Sequence, residues 1–214
     1  MKRGALFGFI ICLCACAKVV PPDGGDVDKT PPNLILVSPP NYTTNFQSET
    51  IYLEFDEFVQ LSDVYNQLVV SPPLEQRPEI RIKKKGVILE LKELLKSNTT
   101  YTFNFGSGIG DLTENNSAEE LVYVISTGDV LDSLRVDGLV RDAFTNEAVE
   151  GAKVMLYQSN EDSLPKTTKP FYFGLTKADG SFSIQNMAQG NYKTFILKEA
   201  NNNYLFDDPA TESI

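Results

Sequence analysis

Short runs in which apolar and polar residues alternate constrain the fold of this chain more than any other feature. In "TIYLEFDEF", Ile51, Leu53 and Phe55 fall on one side, and Tyr52 and Glu54 fall on the other. A period of two is that of a β-strand with one buried face. Similar runs follow in "EIRIKKKGVILEL", "TTYTFNF" and "ELVYVIST", and Pro, Gly and Asn separate them. The pattern predicts an all-β protein built from antiparallel β-sandwiches.

The same alternation predicts which side chains are buried. We expect "EIRIKKKGVILEL" to form a hairpin that turns at Lys85 and Gly86. The segments "LSDVYNQ" and "LKELLKS" are each expected to form one helical turn on a connection. The predicted inward-facing residues after the first run are Ile80, Ile82, Val87, Leu89, Leu91, Tyr101, Phe103, Phe105, Leu121, Tyr123 and Ile125.

Charge and composition exclude several classes of function. The chain has 214 residues, a formal net charge of −10 and no histidine. Such an acidic protein is repelled by nucleic acid, so we expect no nucleic-acid partner. Without histidine, neither a Ser–His–Asp nor a Cys–His arrangement can form, and the usual imidazole ligands of zinc are absent. An enzyme would have to use carboxylates, Lys, Tyr or a Ser–Lys pair. We expect no cofactor and no catalytic residues, and we predict that the protein is not an enzyme.

The first residues have the form of an export signal. Lys2 and Arg3 precede the apolar run "GALFGFIICLCA", which has twelve residues. This run is shorter than the roughly 20 residues that a spanning helix needs, and it fits the apolar part of a signal peptide. The run closes in "LCAC", which resembles a bacterial lipobox. The resemblance implies a lipoprotein signal peptide over residues 1–15 and a diacylglycerol thioether on Cys16, the first mature residue.

The residues that follow favour a tether over a metal or redox site. Residues 16–30, the lipidated cysteine and "AKVVPPDGGDVDKT", are rich in Pro, Gly and Asp, so we expect a flexible linker. Cys12, Cys14 and Cys16 are the only cysteines, and no histidine completes a tetrahedral site with them. We expect membrane attachment through Cys16, at the outer membrane, with the protein periplasmic or surface-exposed.

The first set of strands resembles a known domain family. "PPNLILVSPPN", "IYLEFDEFV", "LLKSNTTYTFNFGSGIGDLTENN" and "VISTGD" are similar to the bacterial Ig-like domain of the S-layer (SbsA) type. The resemblance implies an Ig-like β-sandwich over residues 31–129. The family often has Gly-Asn after the loop aspartate, whereas this chain has Asn115 and Asn116. We expect the turn at that place to differ.

The remaining residues resemble the carboxypeptidase regulatory-like, or transthyretin-like, domain. The similar segments are "SLRVDGLVRDAFTNEAVEGAKVMLYQ" and "KADGSFSIQNMAQGNYKTFIL". The resemblance implies a second β-sandwich over residues 130–214 without catalytic residues. Its matching positions are Gly138, Val140, Asp142, Val149, Gly151, Ala152, Val154, Asp179, Gly180, Phe182, Ile184, Gly190 and Tyr192.

Two further expectations concern this second sandwich. Ala178, Asp179 and Gly180 predict a tight hairpin turn with Gly180 at positive φ, after which Phe182 and Ile184 point inward. A complete sandwich of this kind would need one or two edge strands more than residues 130–214 supply. We therefore expect an incomplete domain, as in a truncated chain, with unpaired backbone groups and exposed apolar side chains.

Three groups of polar residues are candidate sites. Oxygen atoms in "NNNYLFDDP" could hold calcium or form only a polar turn. Asp56 and Glu57 could pair with Asp111 as the two carboxylates of a glycosidase, although nothing in their spacing requires it. The basic run "RIKKKG" could contact an anionic lipid or glycan, but it is more typical of a strand edge protected by charge. The candidate calcium ligands are Asn201, Asn203, Asp207 and Asp208.

These observations together predict a non-catalytic, lipid-anchored cell-envelope protein. We expect it to act as a structural spacer or as a protein-interaction or adhesion module whose partner is an unknown envelope protein or glycan. The alternative is a carbohydrate-binding or other ligand-binding surface module. A strip of exposed aromatic side chains would favour that alternative, because tyrosine rings stack on sugars.

Overall fold

The structure, a computed structural model, describes residues 27–118, 121–199 and 203–214. Within these ranges the chain forms fourteen β-strands and two helical segments of four residues each. All ladders between these strands are antiparallel, so the all-β prediction is confirmed. The predicted signal peptide, Cys16 and the linker up to residue 26 lie outside the described residues. No helix in the described ranges has the length and apolarity needed to cross a membrane.

The first nine strands form what is here called the N-terminal sandwich. The elements are β1 Leu34–Ser38, β2 Thr50–Phe55, β3 Val59–Leu61, α1 Val64–Gln67, β4 Val69–Ser71, β5 Glu79–Lys83, β6 Gly86–Glu90, β7 Thr100–Asn104, β8 Ile109–Asp111 and β9 Val122–Ser126. The main sheets have the strand orders β1-β2-β6-β5 and β4-β7-β9, and β3 pairs with β8.

The period-two pattern predicted the core of this sandwich. Ile51, Leu53 and Phe55 are fully buried in one cluster between the sheets, together with Phe103 and Ile125. The other predicted inward-facing residues are buried or partly buried in the same cluster, with one exception. That exception is Ile82, which is 46% exposed because it lies near the end of β5, an outer strand of its sheet.

The two predicted helical turns have different outcomes. Helix α1 forms within "LSDVYNQ", as expected. "LKELLKS" forms no helix, so that prediction is wrong. The backbone N–H of Lys96 donates to the hydroxyl of Tyr101, and the hydroxyl of Thr127 donates to the carbonyl of Lys96. These tertiary hydrogen bonds replace the local bonds that a helix would require.

Residues from 134 onward form what is here called the C-terminal region. Its elements are β10 Leu134–Leu139, β11 Lys153–Tyr157, α2 Leu164–Thr167, β12 Tyr172–Leu175, β13 Ser181–Met187 and β14 Lys193–Leu197. They form a three-stranded sheet, β12-β11-β14, and a two-stranded sheet, β10-β13. Strand β11 is buried on both faces, because Val154 and Leu156 enter one cluster while Met155 and Tyr157 enter another.

The turn at Gly180 is tight but does not join a hairpin. Gly180 has φ +78°, as predicted, and the N–H of Lys177 donates to the carbonyl of Ser181 at 2.8 Å. The strands on either side nevertheless pair in different sheets, β12 with β11 and β13 with β10. The hairpin prediction is therefore wrong. Strand β13 pairs with β10 from its first residue, because Ser181 stands opposite Leu139 and the N–H of Val140 donates to the carbonyl of Gly180.

Candidate ligand-binding groove

The N-terminal sandwich and the C-terminal region contact each other through polar and apolar groups. The hydroxyl of Ser71 on β4 accepts a hydrogen bond from the N–H of Phe173 on β12. The amide of Asn186 on β13 donates to the hydroxyl of Thr102 on β7 at 2.9 Å. Val69 packs against the apolar cluster on the outer face of β11. Strands β4 and β7 therefore lie against β12 and β13.

A groove of about 620 Å³ runs along this junction. Its volume is within the range of roughly 300–1,000 Å³ that is typical of ligand pockets. No Asp, Glu or Cys is present among the described residues that line it. The polar side chains that line it are those of Gln67, Ser71, Thr102, Asn104, Thr176, Lys177, Ser183 and Gln185.

Part of this polar lining holds the protein together and part faces the groove. The hydroxyl of Thr176 accepts from the N–H of Ala152 and donates to the carbonyl of Val149, so it has a structural role. In the described part of the chain, no hydrogen bond joins the side-chain amide of Gln67 or the ammonium of Lys177. Amides and an ammonium suit a ligand that carries hydroxyl, amide or anionic groups. The described lining therefore matches the chemistry of such a ligand, and it contains no carboxylate for acid–base chemistry.

A smaller cavity of about 70 Å³ lies nearby, lined by Arg77, Lys153 and Tyr204. The ammonium of Lys153 forms a buried ion pair with Glu199 and lies 4.4 Å from the ring centroid of Tyr204. The side chains of Lys153 and Glu199 are only 5% and 1% exposed. Sequence reasoning did not identify this pair, because a lysine at the start of an apolar run reads as the solvated end of a strand.

Two of the three candidate catalytic carboxylates, those of Asp111 and Asp56, have structural roles in the described chain. Asp111 is 1% exposed, and its carboxylate accepts hydrogen bonds from the backbone N–H groups of residues 113 to 116. Burial alone would raise its pKa, but the hydrogen bonds from Glu114 and Asn116 outweigh burial and hold the pKa below its usual range. Asp56 accepts two hydrogen bonds from Asn33, and these likewise lower its pKa.

Glu57 behaves differently from these two aspartates. Burial raises its pKa, and the negative charges of Asp111 and Asp56 raise it further. The fold therefore brings the three carboxylates close enough to interact. However, the carboxylate of Asp111 already accepts hydrogen bonds from the backbone of the loop that follows it. Asn115 takes φ +60° in that loop, so an asparagine adopts the left-handed backbone where the related family often has glycine.

The candidate calcium ligands lie in a hydrogen-bonded turn. Asn201 is outside the described residues. Asn203 donates to Asp207 at 2.6 Å, and the carboxylate of Asp208 accepts from Thr211 and from the N–H of Ala210. No group of three or more Asp, Glu, His or Cys side chains in the described ranges is placed to hold a metal ion.

The aromatic and basic candidates are also located by the structure. Tyr101, Tyr123 and Tyr172 are almost completely buried, while Tyr42 and Tyr65 are exposed and lie on separate segments. The described tyrosines therefore form no continuous strip. In the basic hairpin, Lys85 donates to the carbonyl of Asp56 and lies 5.6 Å from the ring centroid of Phe58.

The fold is that of an antiparallel all-β protein, and part of the chain is similar to a known domain family. Residues 28–127 match the family model of the bacterial Ig-like domain, which supports an Ig-like domain over strands β1 to β9. One solved structure, an L,D-transpeptidase from Mycobacterium smegmatis, is similar over 76% of this chain and 79% of that chain. Its sequence identity is 11% and its TM-score is 0.33, values too low to transfer its fold or its activity to this protein. No curated protein matches the chain significantly.

Proposed function

We propose that this protein is a non-catalytic, lipid-anchored component of the bacterial cell envelope that acts as a structural spacer or protein-interaction module. The observation that carries the proposal is the match of residues 28–127 to a bacterial Ig-like domain. The roles of Asp56 and Asp111 in holding loops also favour a structural protein over an enzyme. The absence of histidine from the sequence also favours a structural protein over an enzyme.

We infer further that residues 31–129 are of the S-layer type and that residues 130–214 form a transthyretin-like sandwich. The second part of this proposal is supported by the packing of sheet β10-β13 on sheet β12-β11-β14. Ile184 on β13 and Val140, directly after β10, share a cluster with Val154 and Leu156 on β11. Limited proteolysis tests the boundary, and we expect the first cleavage between the domains to fall near residue 130. A first cleavage inside β7 or β11 would contradict the boundary.

The proposed anchor is a diacylglycerol on Cys16, with residues 16–30 as the tether. The "LCAC" sequence at the end of the apolar run supports it. Metabolic labelling with a radioactive or clickable palmitate in a diderm host should label the wild type and Cys14→Ser but leave Cys16→Ser unlabelled. Cys14→Ser is the matched control, because it removes a neighbouring thiol from the same run. Equal labelling of Cys16→Ser would refute the anchor.

A partner in the envelope follows from the proposed role. Affinity purification of the tagged full chain from solubilised envelopes should recover a defined partner at a fixed ratio. Cys16→Ser should recover less of it, because the unanchored protein no longer stays at the membrane. Recovery of only abundant proteins at variable ratios would argue against an interaction module.

The groove between β4, β7, β12 and β13 supports a second candidate, the binding of a carbohydrate. Its volume and its uncharged amides and hydroxyls suit an oligosaccharide with N-acetyl groups. A tetramer of β-1,4-linked N-acetylglucosamine should perturb NMR signals of the groove, and Gln67→Ala with Asn104→Ala should weaken binding. Gln76→Ala is the matched control, because Gln76 is exposed and does not line the groove. Unchanged binding in the groove variant would exclude the site.

A further inference from the structure

Strand β10 has an open edge and an incompletely covered face. In the described chain it pairs with β13 and with no other strand. Leu134 and Val136 stand opposite Met187 and Ile184, which are buried, so they lie on the side of β10 that faces the core. They are nevertheless 51% and 38% exposed. A further strand beside β10 would cover both side chains.

The hydrogen-bond pattern fixes which backbone groups of β10 face this open edge. The N–H of Val140 donates to the carbonyl of Gly180 on the β13 side. Along an antiparallel strand, successive residues direct their N–H and C=O groups to opposite sides. Arg135 and Asp137 therefore turn their N–H and C=O groups away from β13. The register shift near Leu134 arises from one extra residue in β13, so the alternation along β10 itself is regular.

The side chains on the other face of β10 have alternating charge. Arg135 and Asp137 are exposed and form an ion pair at 2.8 Å along the strand. If two copies of β10 pair in antiparallel fashion with Val136 at the centre, Arg135 of each copy lies opposite Asp137 of the other. Centring the pair on Arg135 or on Asp137 would place like charges opposite each other, which is unfavourable. Charge therefore selects a single register among these three.

This register also agrees with the backbone. Arg135 and Asp137 are the residues whose N–H and C=O groups face the open edge, and they would form the hydrogen-bonded pair. Val136 would meet Val136 of the second copy in a pair without hydrogen bonds, where side chains are closest. We propose that two copies of this protein form a symmetric dimer by antiparallel pairing of β10 with β10, centred on Val136.

Another outer strand of the structure lacks these properties. Strand β5 is preceded by Pro78 and runs into three consecutive lysines, Lys83 to Lys85. Proline and like charges oppose the addition of a strand. A single pair of six-residue strands is smaller than the roughly 1,200–2,000 Å² of a stable interface, so the dimer depends on concentration. The proposal does not require the lipid anchor.

Disulfide trapping tests the register directly. The full chain with Cys12, Cys14 and Cys16 replaced by serine is the background, because these are the only cysteines of the sequence. In that background Val136→Cys should form a covalent dimer on mild oxidation, since the two Cα atoms would lie about 4.5 Å apart. Leu139→Cys is the control: it is 62% exposed. Its two copies would lie about 20 Å apart at ~3.4 Å per residue. Equal trapping of both variants, or none at position 136, overturns the proposal.

Charge exchange tests the same pairing without new bonds. Arg135→Asp and Asp137→Arg should each weaken dimerisation about tenfold, because two attractive pairs become repulsive. The double variant, Arg135→Asp with Asp137→Arg, should restore it. Sedimentation velocity over a range of concentrations measures the dimer, and circular dichroism checks that each variant is folded. A wild type that stays monomeric, single variants without effect, or a double variant that fails to recover would each overturn the proposal.

Discussion

The N-terminal sandwich and the C-terminal region are built from the same kind of strand but bury their apolar residues differently. In the described residues, the sandwich closes twenty buried residues into one cluster between two sheets. The C-terminal region divides its buried residues into clusters of six and five, on opposite faces of β11. The cluster of five is also covered by Val69 of the sandwich. From this difference we predict that the sandwich is stable by itself and that the C-terminal region depends on its neighbour.

Truncation of a core aromatic in the sandwich should have the largest effect. Phe103→Ala removes a fully buried ring from the single cluster, so we expect unfolding to become easier by about 3–5 kcal/mol. Urea denaturation followed by circular dichroism measures the loss. Leu94→Ala, at a position that is 92% exposed, should leave the midpoint almost unchanged. A loss below about 1 kcal/mol for Phe103→Ala would mean that the cluster is not closed.

The buried ion pair of the C-terminal region should give the next largest effect. Glu199→Gln removes the carboxylate that forms the buried ion pair with Lys153, so we expect a loss of about 3 kcal/mol. Replacing both partners, Lys153→Met with Glu199→Leu, should recover most of that stability, because the desolvation cost of burying these two ions is then removed. Denaturation curves of the three variants test this. If the double variant were the least stable, the pair would be contributing more than its burial costs.

The contact between the two regions should make a smaller contribution. Ser71→Ala removes the acceptor of the buried N–H of Phe173, and leaving a buried donor unsatisfied costs about 1–3 kcal/mol. We expect the loss to appear as faster amide exchange in β12 rather than in β2. Ser48→Ala is the control, since Ser48 bonds only within its own turn. If amide exchange became equally faster in β12 and in β2, the effect of losing this contact would not be confined to the C-terminal region.

The smallest expected effect is on the response to acid. The pKa of Asp111 is lowered in the folded protein, so its carboxylate stabilises the fold above the ordinary aspartate pKa of 3.8. This contribution is lost as the pH falls through the lower folded pKa. Asp111→Asn should therefore flatten the fall in melting temperature below about pH 4. An unchanged slope in Asp111→Asn would contradict the role of this carboxylate.

The sequence predicted the parts of the fold that depend on local alternation. Ile51, Leu53 and Phe55 were identified as core because a period of two is visible within one strand. The same reasoning did not predict strands β3, β8 and β12, which are only three or four residues long. It also misjudged the turn at Gly180, because local turn residues do not determine which sheet the next strand joins.

The candidate groove could not be predicted from the sequence in the same way. Its walls come from β4 and β7 on one side and from β12 and β13 on the other, and these segments are far apart in the chain. Gln67 and Lys177 are ordinary polar residues in their own segments. Only the packing of the two regions brings them to one cavity. Asp111, by contrast, was noticed as a possible acid, and only its hydrogen bonds identify it as the anchor of a loop.

Native-state amide hydrogen exchange, at a concentration where the protein is monomeric, tests the difference between the two regions most directly. We expect the amides of β2, β6 and β7 to exchange only through global unfolding. Those of β10 and β13 should exchange through openings of lower free energy, because their sheet has two strands and an open edge. Equal protection of β10 and β7 would contradict the account, since the C-terminal region would then be as stable as the sandwich.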